Sequence, residues 1–393
     1  MDVDHTRRYE ELDSLRGVAA LIVIFCHHLS TLPLMVSNTA GKTEMMLINC
    51  LKATPLLILW DGAAAVTLFF VLSGFVLSLP FYNGRQAPYP AYLAKRVCRI
   101  HLPYLVAIVL AIVLAQTLPD GPLVGLSHWV NQFWRTPATP QLVAEHLLLV
   151  PSFPNSAFDP VIWTLRHEMR ISIVFPIIMV VVMRLRWQLS IGVAFLLSVA
   201  GLVLDRVGHD VLGDYPYSLY VVLPFVVGAV LARHRNHLIA AYNRMWIAAQ
   251  VLWFVIALLL YNYLGFFPHW KIFHRFQINA YLPIVGSAML IISALGSRRL
   301  GAVLRCSFPI YLGRISYSTY LLHTVVLLAV LHLAWPQFSL ALLLPFSIAL
   351  SLAIATYFYQ WVEVPAMVLG RSLAKKLETQ KSSPGEMAVE PNG

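Results

Sequence analysis

Ten stretches of this chain are long and apolar enough to cross a membrane, and that repetition leaves few ways for it to fold. They cover residues 14–34, 56–81, 101–118, 163–183, 187–204, 216–232, 246–264, 277–296, 308–333 and 338–361. A hydrocarbon core of ~30 Å is crossed by about 20 apolar residues in helical form. Within lipid every backbone N–H and C=O has to be bonded inside the protein, which favours helices. The expected fold is all-α: a polytopic membrane helix bundle of about ten transmembrane helices. Only 12% of the 393 residues are charged, where a soluble domain carries about 25%.

The charges that remain orient the bundle. With the N-terminus placed in the cytosol, the cytosolic segments hold eighteen lysines and arginines and the outer loops six. Loops rich in Lys and Arg stay on the cytosolic side, so N-in, C-in topology is expected. The same rule explains the net charge of +10, and no nucleic-acid partner is expected. The first span carries Arg16 and lacks a small-x-small cleavage site, so it reads as an uncleaved span rather than a signal peptide. The organisation expected is a cytosolic segment at 1–13, one transmembrane unit at 14–370 and a polar, disordered cytosolic tail at 371–393. Cys26, Cys50, Cys98 and Cys306 are scattered, and their spacing indicates neither a disulfide framework nor a zinc site.

Ionisable residues inside apolar spans are costly and mark functional sites by default. Arg16 and His27 both lie in the first span. Eleven residues at ~100° each return to within about 20° of the start, and at ~1.5 Å per residue the two are separated by ~16 Å along one helix face. Topology then turns position into depth. His27, Asp61, Glu168 and His323 fall in the middle and outer part of the membrane. Arg16, Arg96 and Arg99 fall toward the cytosol, and Arg96 and Arg99, three apart, share a helix face. Guanidinium forks suit bidentate phosphate binding. A histidine suits proton transfer near neutral pH, with a carboxylate at similar depth to orient it. Each residue also has a plainer reading. Basic residues at a helix end anchor topology. A membrane histidine bonds a neighbouring helix, and Ser73-Gly74 marks close helix packing. Glu168 could belong to a salt bridge with Arg166 or Arg170. Cys26, beside His27, is either a nucleophile or a small core residue.

Several motifs occur together. LDSLRGVAALIVIFCHH carries an Arg-x10-His pair. LFFVLSGFVLS, KRVCRIHLPYL, WTLRHEMRISIVFP and LGRISYSTYLLH follow in order. In these the chain resembles the acyltransferase-3 family of integral-membrane O-acyltransferases. The resemblance implies transfer of an acyl group, commonly acetyl, from cytosolic acyl-CoA to a hydroxyl of a carbohydrate, glycolipid or small-molecule acceptor. It implies no permanently bound cofactor and no metal, with acyl-CoA, commonly acetyl-CoA, as donor substrate. Arg16 and His27 match the family's Arg-x10-His pair, Arg96 and Arg99 its donor-associated basic pair, and Glu168 its acidic position after Trp. Ser73 matches the Ser-Gly-Phe element, and Ser316, Tyr317, Tyr320 and His323 match the ninth-span motif. The departures are Ile100-His101-Leu102 before Pro103, and the charged Arg166-His167 and Arg170 flanking Glu168.

The mechanism expected places donor phosphates on Arg96, Arg99 and Arg16, with Asp61 among the substrate-binding residues. His27 is the general base, Glu168 or Asp61 orients it, and Ser316, Tyr317 or Tyr320 face the oxyanion. The compartment expected is a bacterial cytoplasmic membrane. The rival reading is a proton-coupled transporter or flippase with no acyl chemistry. A haem-binding bundle using His27, His28 and His323 lacks a ligand pair.

Overall fold

The computed structural model describes residues 9–33, 55–119, 121–154, 157–262 and 278–382. Cys50 lies outside the described residues; Cys26, Cys98 and Cys306 are free thiols. The described helices are α1 (Glu10–Leu29), α2 (Gly62–Tyr82), α3 (Tyr89–Thr117), α4 (Pro140–Leu148), α5 (Ile162–Arg184), α6 (Trp187–Leu212) and α7 (Tyr215–Arg244). They continue with α8 (Ile247–Tyr261), α9 (Ile278–Gly296), α10 (Arg298–Leu304), α11 (Ser307–Ala334), α12 (Leu340–Phe358) and α13 (Val364–Ser382). The fold is an all-α polytopic membrane bundle, with no strand among the described residues.

Each of the ten apolar stretches forms a helix, but not all meet the length and composition of a span. Seven described helices do, and eight if α9 and α10, bent by 91° at Ser297, count as one. The stretch at 163–183 falls short because α5 carries Arg166, Glu168 and Arg170 within its first three turns. The stretch at 246–264 falls short because α8 has only 15 residues. The last stretch is longer than expected: α12 runs through a widened turn at Tyr359–Glu363 into α13, a candidate span of 40 residues.

Two ends differ from the sequence-based expectation. Helix α1 begins at Glu10, inside the 1–13 segment expected to precede the membrane unit. Glu10, Glu11 and Asp13 occupy its first turn, where carboxylates complement the helix dipole. The Ser14 hydroxyl donates to the Leu304 carbonyl at 2.6 Å. Order was expected to end near residue 371, yet α13 remains helical to Ser382. It packs along α3, with Gly370 against Cys98, Ala374 buried, and Lys95 paired to Glu378 at 3.3 Å.

The core centres on α11, whose side chains from Leu312 to Leu331 are almost all buried. Glycine pairs bring the key helices together. A Cβ on Gly17 would stand 2.6 Å from the Leu312 carbonyl carbon, and one on Gly313 would stand 2.5 Å from the Asp13 carbonyl oxygen. Backbones of α1 and α11 thus touch, as small residues allow in membrane bundles. Gly74 of α2 and Gly228 of α7 do the same, with Cβ positions 2.6 Å from Phe225 Cα and from the Phe75 nitrogen.

Candidate active site

The α1–α11 contact sets two imidazoles against each other. His27 Nδ1 lies 2.8 Å from His323 Nε2. The protons on this pair follow from its surroundings. His323 Nδ1 faces the carbonyl oxygens of Thr319 and Tyr320, each at 3.0 Å. A carbonyl only accepts, so His323 Nδ1 carries the proton and, in the neutral ring, Nε2 is an acceptor. His27 Nδ1 then donates to it, which leaves the Nε2 lone pair of His27 unprotonated. Trp129 stacks on His27 with centroids 5.3 Å apart and planes 11° from parallel, and His323 stacks at 5.1 Å and 10°. His28 is spent on structure: Nδ1 donates to the Ile24 carbonyl, and Nε2 is 2.8 Å from the Ser347 hydroxyl.

Glu168 stands elsewhere than beside His27. Its Oε1 accepts from the Ser73 hydroxyl at 3.2 Å and from Arg96 Nη2 at 3.3 Å. Arg96 also donates to the Ser172 hydroxyl, Nη2 at 2.9 Å and Nε at 3.3 Å. Glu168 and Ser172, four apart, share one face of α5 and hold the guanidinium together. Arg166 and Arg170 turn away, because two residues along a helix rotate by ~200°. They converge on Asp214, Arg166 directly and Arg170 Nη2 at 3.0 Å. They also tie down the preceding loop, Arg166 through the Phe153 carbonyl at 3.2 Å and Arg170 through the Val150 carbonyl at 2.9 Å. Burial alone would raise the Asp214 carboxyl, but the Arg166 and Arg170 guanidiniums outweigh it and hold the group below its ordinary value of 3.8.

Three cavities that share lining residues mark out a route past these groups. A vestibule of about 740 Å³ opens at the Arg16 end of α1. Arg16, Arg85, Arg99, Arg235, Arg314 and Arg371 line it, against the carboxylates of Asp13 and Glu363. Arg16, Ser316 and Tyr317 also line a waist of about 40 Å³, together with Ser73 and Glu168. Val66, Phe70 and Tyr320 pass from that waist into a chamber of about 420 Å³. His27, Cys26 and Asp61 face this chamber beside Trp163, Tyr217 and Tyr220. Asp61 also caps α2, accepting from the Ala64 N–H at 3.0 Å.

The Arg-x-x-Arg pair therefore divides. Arg99 lines the vestibule while Arg96 is held by Glu168 and Ser172. The hydroxyls considered for an oxyanion are committed: Ser316 donates to the Gly313 carbonyl at 2.9 Å and Tyr317 to the Ile100 carbonyl at 2.7 Å. Tyr320 Oη lies 2.5 Å from the Thr164 hydroxyl.

Three residues were not legible as a set. His323 was expected through its depth and its motif but not as the partner of His27, Trp129 through nothing, and Glu363 not at all. Glu363 is buried, accepts from the Ser318 hydroxyl at 2.6 Å and faces the arginine vestibule. An acid inside an apolar run was the available signal for it. Among the described residues, no group of three or more His, Cys, Asp or Glu is placed to hold a metal ion.

Comparison with known families matches residues 9–360 to the model described as an acyltransferase domain. Neither the curated proteins nor the solved structures returned a match.

Proposed function

Because the chain belongs to the acyltransferase-3 family and is an integral-membrane acyltransferase, we propose that it moves an acyl group, acetyl in the simplest case, from cytosolic acyl-CoA to a hydroxyl acceptor. The observation that carries this reading is the route from the six-arginine vestibule to the His27 chamber. Phosphates of the donor rest among Arg16, Arg99 and the other vestibule arginines, which among the described residues face the carboxylates of Asp13 and Glu363 there. The pantetheine arm passes the waist beside Ser316, Tyr317 and Tyr320 and presents the thioester to His27. The acceptor is a carbohydrate, glycolipid or small molecule, bound in the chamber near Asp61 and the aromatic residues. The loop-charge bias supports a cytosolic vestibule, and the membrane is bacterial and cytoplasmic in this reading.

Chemistry needs one base and one bond exchange. His27 Nε2 takes the proton of the acceptor hydroxyl as its oxygen attacks the thioester carbonyl carbon. The tetrahedral adduct collapses, the C–S bond breaks, and the thiolate of coenzyme A takes the proton back from His27. His323 holds His27 in the tautomer whose Nε2 is basic, the part assigned to a carboxylate in triad logic. Glu168 takes a different role from that expected: it fixes Arg96 at the waist. No covalent enzyme intermediate is required. The carrier reading has no observation of its own in favour.

The test is purified protein in lipid nanodiscs with radiolabelled acetyl-CoA and a panel of hydroxylated acceptors. Acyl transfer or slow thioester hydrolysis by the wild type, abolished in His27→Ala, is the expected result. Wild-type turnover in His27→Ala would remove the base assignment.

A further inference from the structure

A fourth cavity, of about 470 Å³, lies apart from the route, where the 91° bend between α9 and α10 meets the start of α8. One end of it is cationic: Arg298 and Arg299 line it and are exposed, and neither forms an ion pair among the described residues. Tyr242 and Gln250 add polar groups beside them. The Tyr242 ring closes one wall, with its Cδ1 2.7 Å from where a Cβ on Gly296 would stand. The other end is apolar, formed by Val251 and Phe254, and Val251 is 57% exposed on the outer face of the bundle.

Position explains the gradient. Helix α9 is an apolar span up to Gly296, and the two arginines follow at once. The sharp turn at Ser297 then lays α10 across the direction of the span. The cationic end thus stands at the membrane boundary and the apolar end faces the acyl chains. A free phosphate or nucleotide would leave the apolar end empty. A zwitterionic lipid would leave an excess of positive charge. Basic pockets between transmembrane helices suit anionic headgroups.

We propose that this cavity binds one anionic phospholipid, with the headgroup phosphate on Arg298 and Arg299 and an acyl chain along Val251 and Phe254. The site is separate from the acyl-transfer route and does not depend on how that route works. Native mass spectrometry of the full chain, titrated with phosphatidylglycerol, phosphatidylcholine or inorganic phosphate, tests it. The wild type should retain phosphatidylglycerol in preference to phosphatidylcholine. The double variant Arg298→Gln, Arg299→Gln should bind it at least about tenfold more weakly, as expected for two lost cationic contacts near a membrane surface. Arg184→Gln, Arg186→Gln, a pair of exposed arginines on another interhelix turn, should bind as the wild type does. Equal retention of phosphatidylcholine, equal loss in both variants, unchanged binding in the first variant, or displacement of the lipid by inorganic phosphate would each overturn the proposal. Phe254→Ala supplies a second readout. It keeps both charges, and it should lose affinity for a long-chain lipid while binding a short-chain one normally. Equal affinity of Phe254→Ala and wild type for the long-chain lipid would remove the acyl-chain half of the site.

Discussion

The direction of one proton organises the proposed reaction centre. His323 Nδ1 is committed to two backbone carbonyls, and that commitment passes through the 2.8 Å contact to make His27 Nε2 the basic atom. His27→Ala should insert and elute as the wild type does yet lose about 10²–10⁴-fold in acyl transfer, the usual worth of a general base. His323→Phe keeps an aromatic ring against His27 but removes the acceptor. It should lower kcat by about tenfold or more and change the pH profile, with the donor KM unmoved. A variant with wild-type kcat and pH profile would show that His27 needs no orienting partner. Glu168→Gln should release Arg96, raise the donor KM and leave the His27 pH profile alone. Arg16, His27 and Glu168 were all readable from the sequence as ionisable residues in apolar spans. Which of them meet was not, since contacts across 296 residues, as between His27 and His323, leave no local signature.

At the scale of elements, two glycine crossings and one ion cluster carry the geometry. Gly17 and Gly313 let α1 lie on α11 with backbones touching, which sets the His27–His323 distance. Gly17→Val should overpack this crossing by about 1–3 kcal/mol. It should also lower acyl transfer by more than the loss of folded protein accounts for, measured per folded molecule. Asp214 joins α5 to the start of α7 through Arg166 and Arg170. Arg166 is wholly buried. Asp214→Asn would strand these guanidiniums and cost about 3 kcal/mol or more, as when one partner of a buried pair is removed. The sign of its pH dependence follows from a carboxyl held below 3.8. The stabilisation is complete above the unfolded value, near 3.9, and is lost as pH falls through the lower folded value. Thermal midpoints recorded downward from pH 5 should fall more steeply for the wild type than for Asp214→Asn. Parallel curves would show that the pair adds no acid sensitivity. The same cluster explains why charged neighbours of Glu168 do not disturb it: helical rotation sends them to the opposite face.

Over the whole molecule the design is a vestibule, a waist and a chamber in series. Charge is graded along that series, with arginines at the wide end and aromatic groups, His27 and the Asp61 carboxyl at the other. Arg99→Ala should raise the donor KM while leaving kcat near wild type. The donor KM of the wild type should itself climb with ionic strength, since the vestibule is wide enough for salt to screen its arginines. A donor KM insensitive to both would mean that these arginines hold topology rather than phosphate.

The chain's apolar segment lengths, read directly, were enough to determine an all-α membrane bundle, because lipid offers an unsatisfied backbone no other partner. Its motifs were enough to determine the family, which the match over residues 9–360 bears out. Only the tertiary structure decided that His323, and not Glu168, meets His27, that Arg96 and Arg99 part company, and that Glu363 faces the vestibule. Helix periodicity assigns a residue to a face and a depth. The partner on that face depends on which helices cross and in what register, and those crossings are chosen by packing among residues far apart in the chain.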